Sequence, residues 1–143
     1  MAEVRIEQTD FAKQRDAIYA IRETVFIIEQ AVPAEIEIDE HDSVARHVLA
    51  FVDGQAVGTG RITSDGRIGR MAVLAAFRGL GVGRAILHAL IEIGTADDTP
   101  RLFLSAQCHA IPFYEKAGLV ADGPIYDEAG IDHRRMEWAP RRD

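Results

Sequence analysis

Hydrophobic residues along the chain switch between a period of two and a period near 3.6, and the switches mark its elements. Val4-Arg5-Ile6 opens a short alternating strand ended by Thr9-Asp10. Asp10 is placed to cap a helix from about Phe11 to Ile28, with Phe11, Ile18, Ile21, Val25 and Ile28 as its apolar stripe. Pro33 pushes Val32 out of the α region and breaks that helix. His47–Val52 reads as a strand, Asp53-Gly54 as a hairpin turn and Ala56–Ile62 as the returning strand. A second turn, Ser64-Asp65-Gly66, leads into the apolar strand Ile68–Val73 and completes a three-strand meander. Val82, Ile86, Ala89, Leu90 and Ile93 then recur at helical spacing.

Leu102–Ala106 is a buried strand, expected beside Ile68–Val73 because a strand–helix–strand unit returns parallel. Pro112 suits the first turn of a short helix, and Gly118 its C′ position. Leu119-Val120 and Arg135–Trp138 suggest a final antiparallel pair, joined across Gly123-Pro124 and Ala129-Gly130. The order β-α-(α)-β-β-β-α-β-α-β-β predicts a mixed α/β domain. Residues 1–143 are expected to form one unit, a single sheet of six to seven strands flanked by about four helices.

Composition narrows the function classes. Hydrophobic residues make up 48% and charged residues 27%, the balance of an ordinary globular domain. No run approaches the ~18–20 apolar residues of a membrane helix. The N-terminus lacks a signal layout and there is one cysteine, Cys108, so a cytoplasmic protein is expected. A net charge of −7 argues against nucleic-acid binding. The charge is unevenly placed. Glu29 to Asp42 holds Glu29, Glu35, Glu37, Asp39, Glu40 and Asp42 with no Lys or Arg. Arg61 to Arg84 holds Arg61, Arg67, Arg70, Arg78 and Arg84 against Asp65. These stretches read either as solvated faces or as sites for a cation and an anion.

Between the fourth strand and the long helix stands Arg78-Gly79-Leu80-Gly81-Val82-Gly83-Arg84. A glycine-rich turn feeding a helix gathers unpaired backbone N–H groups at the positive end of the helix dipole, where an anion fits. Arg78 and Arg84 add charge-assisted donors. A Walker A loop would need Lys-Ser/Thr where Arg84-Ala85 stands, and the dinucleotide fingerprint would need glycine at Arg84. Arg-x-x-Gly-x-Gly, as Arg78, Gly81 and Gly83, instead resembles the acetyl-coenzyme A signature of the GNAT superfamily of N-acetyltransferases. The element order resembles the GNAT fold over nearly the whole chain. Phe113-Tyr114-Glu115-Lys116-Ala117-Gly118-Leu119 is similar to that family's segment after strand five. Val25–Pro33, with Glu37, Asp39 and Asp42 downstream and His133 and Met136 near the end, looks like the ElaA/YjcF-like subgroup.

That resemblance implies an acetyl-coenzyme A-dependent N-acetyltransferase, in which a primary amine attacks the thioester directly in a ternary complex. The turn amides from Gly79 through Leu80, Gly81, Val82 and Gly83 to Arg84 would hold the pyrophosphate. The backbone of Met71, Ala72 and Val73 would pair with the pantetheine arm and offer an oxyanion donor. That pairing needs neighbouring strands to splay, with small Ala72 and Ala106 leaving room. Ala106, Gln107 and Phe113 complete the implied donor site. Tyr114 occupies the family's general-acid position, although Phe113-Tyr114 also reads as a plain aromatic core pair. Glu29 is the first candidate base, with His47 and His133 behind it. Gln30, His47, Arg61 and His133 join Glu29 as candidate acceptor-binding residues. The acceptor is expected to be a small-molecule or peptide amine, and an edge strand could pair two copies into a homodimer.

Other chemistries are weaker. Adjacent Cys108 and His109 cannot face each other on a helix, though His133 could serve Cys108 in space. Asp39, His41, Asp42 and His47 have metal-ligand residue types, but acids in a loop are common and no metal is expected. A non-catalytic acyl-coenzyme A sensor would carry the same glycine turn; Tyr114 and the acidic stretch favour an enzyme.

Overall fold

A computed structural model describes residues 3–32 and 39–138 of the chain. Pro33, Glu35 and Glu37, to which a helix break and acidic positions were assigned above, lie outside the described residues. The strands are β1 (Val4–Thr9), β2 (Arg46–Val52), β3 (Gln55–Ile62), β4 (Ile68–Val73), β5 (Phe103–Gln107), β6 (Leu119–Glu128) and β7 (Ile131–Trp138). The helices are α1 (Phe11–Arg22), α2 (Val82–Ala96) and α3 (Ile111–Glu115), three among the described residues where about four were expected. The strand order along the chain is the expected one. The sheet is not.

Instead of one sheet there are two, an antiparallel β1-β2-β3-β4 and a three-stranded β5-β7-β6 with β7 in its middle. Among the described residues, they hydrogen-bond to each other where β4 and β5 begin. There Arg67 and Phe103 form a single parallel bridge, and the Phe103 N–H donates to the Gly66 carbonyl at 3.0 Å. Beyond that point the two parallel strands pair with other neighbours. Their C-terminal ends, Met71–Val73 and Ser105–Gln107, are left apart. A bulge contributes on the β4 side. Thr59 pairs with Ala72 and Arg61 with Gly69, so Arg70 and Met71 together oppose Gly60. A bulge bends its strand, and here it carries Arg70 at φ 49, a region side chains seldom occupy.

Local chemistry explains most boundaries. The Asp10 carboxylate accepts from the N–H groups of Ala12 at 2.8 Å and Lys13 at 3.4 Å, capping α1. Asp53-Gly54 and Ala129-Gly130 both place two residues at positive φ, as a tight hairpin requires. The second turn ends a β6 much longer than Leu119-Val120, and Gly123-Pro124 is an irregularity within it rather than a connection. Helix α1 continues from Glu23 to Glu29 as a π-helix, closed by the Gln30 N–H donating to the Val25 carbonyl at 3.1 Å. The wider turn shifts the apolar stripe. Ile18, Ile21 and Val25 are buried as expected, whereas Ile28 is 70% exposed.

The four-stranded sheet has a helix against each face. α1 packs on Leu49 and Ala72, while Val82, Ile86, Leu87 and Leu90 of α2 pack on Val48, Ala50 and Val52. Gly58 and Gly60 let α2 touch the strand backbone: a Cβ at either would come within 2.8 Å of Ile86. The second sheet joins this core through Leu104, Ala106, Leu119 and Met136. No helix among the described residues is long and apolar enough to cross a membrane.

Candidate active site

The parting of β4 from β5 opens a cleft of about 500 Å³. Its lining includes Met71 and Arg70 from β4, Ser105 and Gln107 from β5, Tyr114 from α3 and His133 from β7. Phe26 and Gln30 close it from the π-helix, where Gln107 Nε2 donates to Gln30 Oε1 at 3.0 Å. Because β4 and β5 run parallel, the cleft opens toward both C-terminal ends. The glycine turn leaves from one end and Tyr114 follows the other.

At the turn, Gly79 and Gly81 have φ of 81 and 84, and a Cβ built on either would meet nothing within 4 Å. No side chain caps α2. Its first main-chain bond runs from the Ala85 N–H to the Gly81 carbonyl at 3.0 Å, which leaves the Val82, Gly83 and Arg84 amides as open donors. This uncapped amide group fits a pyrophosphate. Val82 is buried, main chain included, while Leu80 and Arg84 are exposed to solvent. Phe113 lies against Gly83, 3.5 Å from where a Cβ would sit, and packs edge-on to Tyr114 at 5.1 Å between centroids. Ala72 and Ala106 are buried on the sheets, and Val73 contacts the α2 core from the end of β4.

Arg78 is engaged elsewhere. Its two terminal nitrogens fork onto the Glu29 carboxylate, both at 2.7 Å, and Nε donates to the Val73 carbonyl at 3.0 Å. It ties the end of β4 to the end of the π-helix. That hydrogen bond holds the Glu29 carboxyl below its usual range, which suits a fixed anion better than a base. Glu29 is not among the cleft-lining residues. Nor is His47, which is buried against Phe11 at 4.7 Å and donates from Nε2 to the Asp42 carbonyl at 2.8 Å. Burial pushes its imidazole down, keeping it neutral.

Asp39 and Asp42 of the acidic stretch meet Arg61 and Arg70 of the basic one in an ion network that also takes in Arg22. Asp42 takes Arg22 at 2.8 Å and Arg61 at 2.7 Å, and the Tyr19 hydroxyl donates to it at 3.0 Å. Asp39 takes Arg61 at 2.7 and 2.8 Å and Arg70 at 3.2 Å. The hydrogen bonds from Arg61 hold Asp39 well below the usual carboxylate range. Burial works to raise Asp42, but the hydrogen bonds and charges of Arg22 and Arg61 outweigh it. Arg61 thus reaches the cleft wall with its guanidinium already committed. Asp39 and Asp42, read above as metal-ligand types, are arginine partners, and no metal-binding cluster forms among the described residues.

Tyr114 and His133 do meet the cleft. Burial raises the Tyr114 phenol to about 12, so it stays protonated as a donor. His133 Nδ1 lies 2.7 Å from the Ile131 carbonyl. A carbonyl only accepts, so Nδ1 carries the proton and Nε2 is turned toward Glu128 Oε2 at 3.4 Å. Glu128, Ser105 and Tyr126 around it were missed from the sequence. The Ala129-Gly130 turn could have found them: a two-residue hairpin there sets Glu128 opposite Ile131 and Tyr126 opposite His133.

The sequence model for the acetyltransferase (GNAT) domain matches residues 8–140. The chain belongs to the GNAT family. It is 38% identical to the uncharacterized N-acetyltransferase YjcF of Bacillus subtilis over 126 residues, 85% of this chain and 89% of that protein. It is 32% identical to protein ElaA of Escherichia coli over 129 residues, 84% of each. The crystal structure of E. coli ElaA superposes with a TM-score of 0.83 at 29% identity, covering 97% of this chain and all of that one. An acyl-CoA N-acyltransferase from Pseudomonas aeruginosa superposes with a TM-score of 0.81 at 28% identity, covering 97% and 100%. The family therefore supports an acyl-coenzyme A N-acyltransferase, in the subgroup that includes YjcF and ElaA.

Proposed function

We propose that the chain transfers an acetyl group from acetyl-coenzyme A to a primary amine by direct attack in a ternary complex. The observation that carries this reading is the β4–β5 cleft, with an uncapped glycine turn at one side of its mouth and Tyr114 at the other. The open amides of Val82, Gly83 and Arg84 would take the pyrophosphate, aided by the dipole of α2. The backbone of Met71 to Val73 would pair with the pantetheine arm and direct one N–H at the thioester oxygen.

In the reaction the neutral amine nitrogen adds to the thioester carbon. The C–N bond forms, the C–S bond breaks and the thiolate leaves. Tyr114 donates a hydrogen bond to that sulfur. Outright transfer of its proton is uphill by roughly 5 kcal/mol, given a phenol near 12 and a thiol near 8.5. The proton that makes the free thiol therefore comes from the nitrogen that has just attacked. Tyr114 lowers the barrier by stabilising charge, not by surrendering its own hydrogen.

Thiol release from acetyl-coenzyme A, followed across an amine panel, tests the reading. Wild type should turn over one amine class, and Tyr114→Phe should cut kcat about tenfold or more while leaving the thermal midpoint in place. Unchanged turnover in the variant would remove Tyr114 from the chemistry. Tight coenzyme binding without turnover on any amine would replace catalysis with sensing.

A further inference from the structure

The wall of the cleft opposite β4 holds an unusual arrangement. In β5-β7-β6, His133 lies across from Gln107 on one side and Tyr126 on the other, so the three share a face. Gln107 and His133 both line the cleft. The His133 ring stacks on Tyr126 at 6.2 Å, and its Nδ1–H is spent on the Ile131 carbonyl. Nε2 then faces Glu128 Oε2, 3.4 Å away. Ser105 Oγ meets the same carboxylate oxygen at 3.3 Å and the Tyr126 hydroxyl on its other side. Arg67, from the β3–β4 turn, approaches the other oxygen, Oε1, at 3.6 Å. The ring nitrogen that the main chain does not use and a carboxylate thus converge at the cleft wall. What satisfies both at once is a cation that carries several N–H donors, and an alkylammonium has that chemistry.

We infer that Glu128 and His133 form the station that binds the acceptor's ammonium group and takes its proton. This rests on the acetyltransferase reading above. Glu128 Oε2 and His133 Nε2 accept two of the three ammonium hydrogens. One proton passes to His133 Nε2, making an imidazolium paired with Glu128, and leaves the nitrogen with the lone pair it needs. Glu128 is 44% exposed, so the pair can return the proton to water at the cleft mouth. Ser105 and the stacked Tyr126 fix the two groups. Other titratable groups line the same cleft: His41, Asp65, Arg67, Arg70 and Tyr114, with Asp39 and Arg61 committed to each other. Among them only His133 pairs an imidazole fixed by a main-chain carbonyl with a partly exposed carboxylate.

The test compares wild type, Glu128→Gln and His133→Gln by thiol release, near neutral pH and again near the acceptor amine's own pKa. KM for acetyl-coenzyme A and the thermal midpoint are followed in parallel. Near neutrality each variant should lose about tenfold or more in kcat/KM for the amine, with KM for acetyl-coenzyme A unchanged. At the higher pH, where water has already neutralised the amine, most of that loss should be recovered. A loss that persists unchanged at high pH would assign the pair a structural role and overturn the inference. So would variants within about twofold of an active wild type, and the acetyltransferase reading would survive. A wild type inactive on every amine would sink that reading and this one together. Glu128→Gln is isosteric at a partly exposed site, so it keeps the test decisive if the buried His133 variant does not fold.

Discussion

On the β3–β4 side of the cleft, Arg61 and Arg70 arrive already held by Asp39, while across the gap His133 Nε2 and the Glu128 carboxylate face each other at 3.4 Å. Both walls are polar and both lie beside the same cavity, yet they are organised differently. The first is saturated. Its arginines and carboxylates satisfy one another, and it joins α1, the turn at Glu40–Ser43, β3 and β4 into one body. The second is looser: Glu128 meets Ser105 at 3.3 Å, His133 Nε2 at 3.4 Å and Arg67 at 3.6 Å, long contacts that leave it less fully satisfied and open to a ligand. A polar cluster by a cleft is therefore read by what remains unsatisfied in it. That criterion separates frame from site more sharply than charge or proximity does.

The sharpest way to break the comparison is at Asp42, which is 1% exposed and bonded to Arg22, Arg61 and Tyr19. Asp42→Ala removes the carboxylate that two buried guanidinium groups share and should cost about 3–5 kcal/mol in denaturant unfolding. Wild type should show the same dependence on pH. Asp39 and Asp42 both have folded pKa values below their unfolded ones, so their contribution is fully present above the unfolded carboxylate pKa, about 4. It is lost as pH falls from there through the folded values. Stability that stayed flat from neutrality down to about pH 3 would show the network to be a bystander.

A smaller effect is expected at the turn. Gly81 holds φ 84 with open space where a Cβ would be, so Gly81→Ala meets no clash and pays only for the left-handed backbone, about 1–2 kcal/mol. If the turn amides hold the pyrophosphate, the same change should weaken acetyl-coenzyme A binding in calorimetry and leave KM for the amine alone. Equal weakening of both would mean that the substitution had moved the whole cleft.

How much of this was legible in the sequence follows the range of the interactions. The Asp10 cap, the hairpin turns and the glycine turn are set within a few residues, and each could be read locally. The splitting of one sheet into two could not be read from the residues themselves, and only the family resemblance implied a splay there. It depends on β7 entering beside β5 and on a bulge at Arg70-Met71, and neither has a local signature. Ile28 was misplaced because its position assumed 3.6 residues per turn where the chain adopts a π-helix. The uneven charge was seen but misread. Glu29 with Arg78 and Asp39 with Arg70 are separated by 49 and 31 residues, so sequence shows two unbalanced stretches where the fold makes pairs.

Glu29 sharpens the comparison with the smallest expected effect. Sequence makes it the first candidate base, and in the fold it adjoins the cleft-lining Gln30 without lining the cleft itself. Its fork onto Arg78 is geometrically strong but open to water, with side chains 41% and 43% exposed. Glu29→Gln should therefore cost no more than about 1 kcal/mol of stability. If Glu29 merely anchors Arg78, kcat/KM for the amine should stay within about twofold at neutral pH and show no recovery at high pH. A loss of tenfold or more that alkaline pH restored would return the base to Glu29 and take it from Glu128 and His133. Two carboxylates, one answered by an arginine and one facing an imidazole, thus give opposite expectations in the same assay.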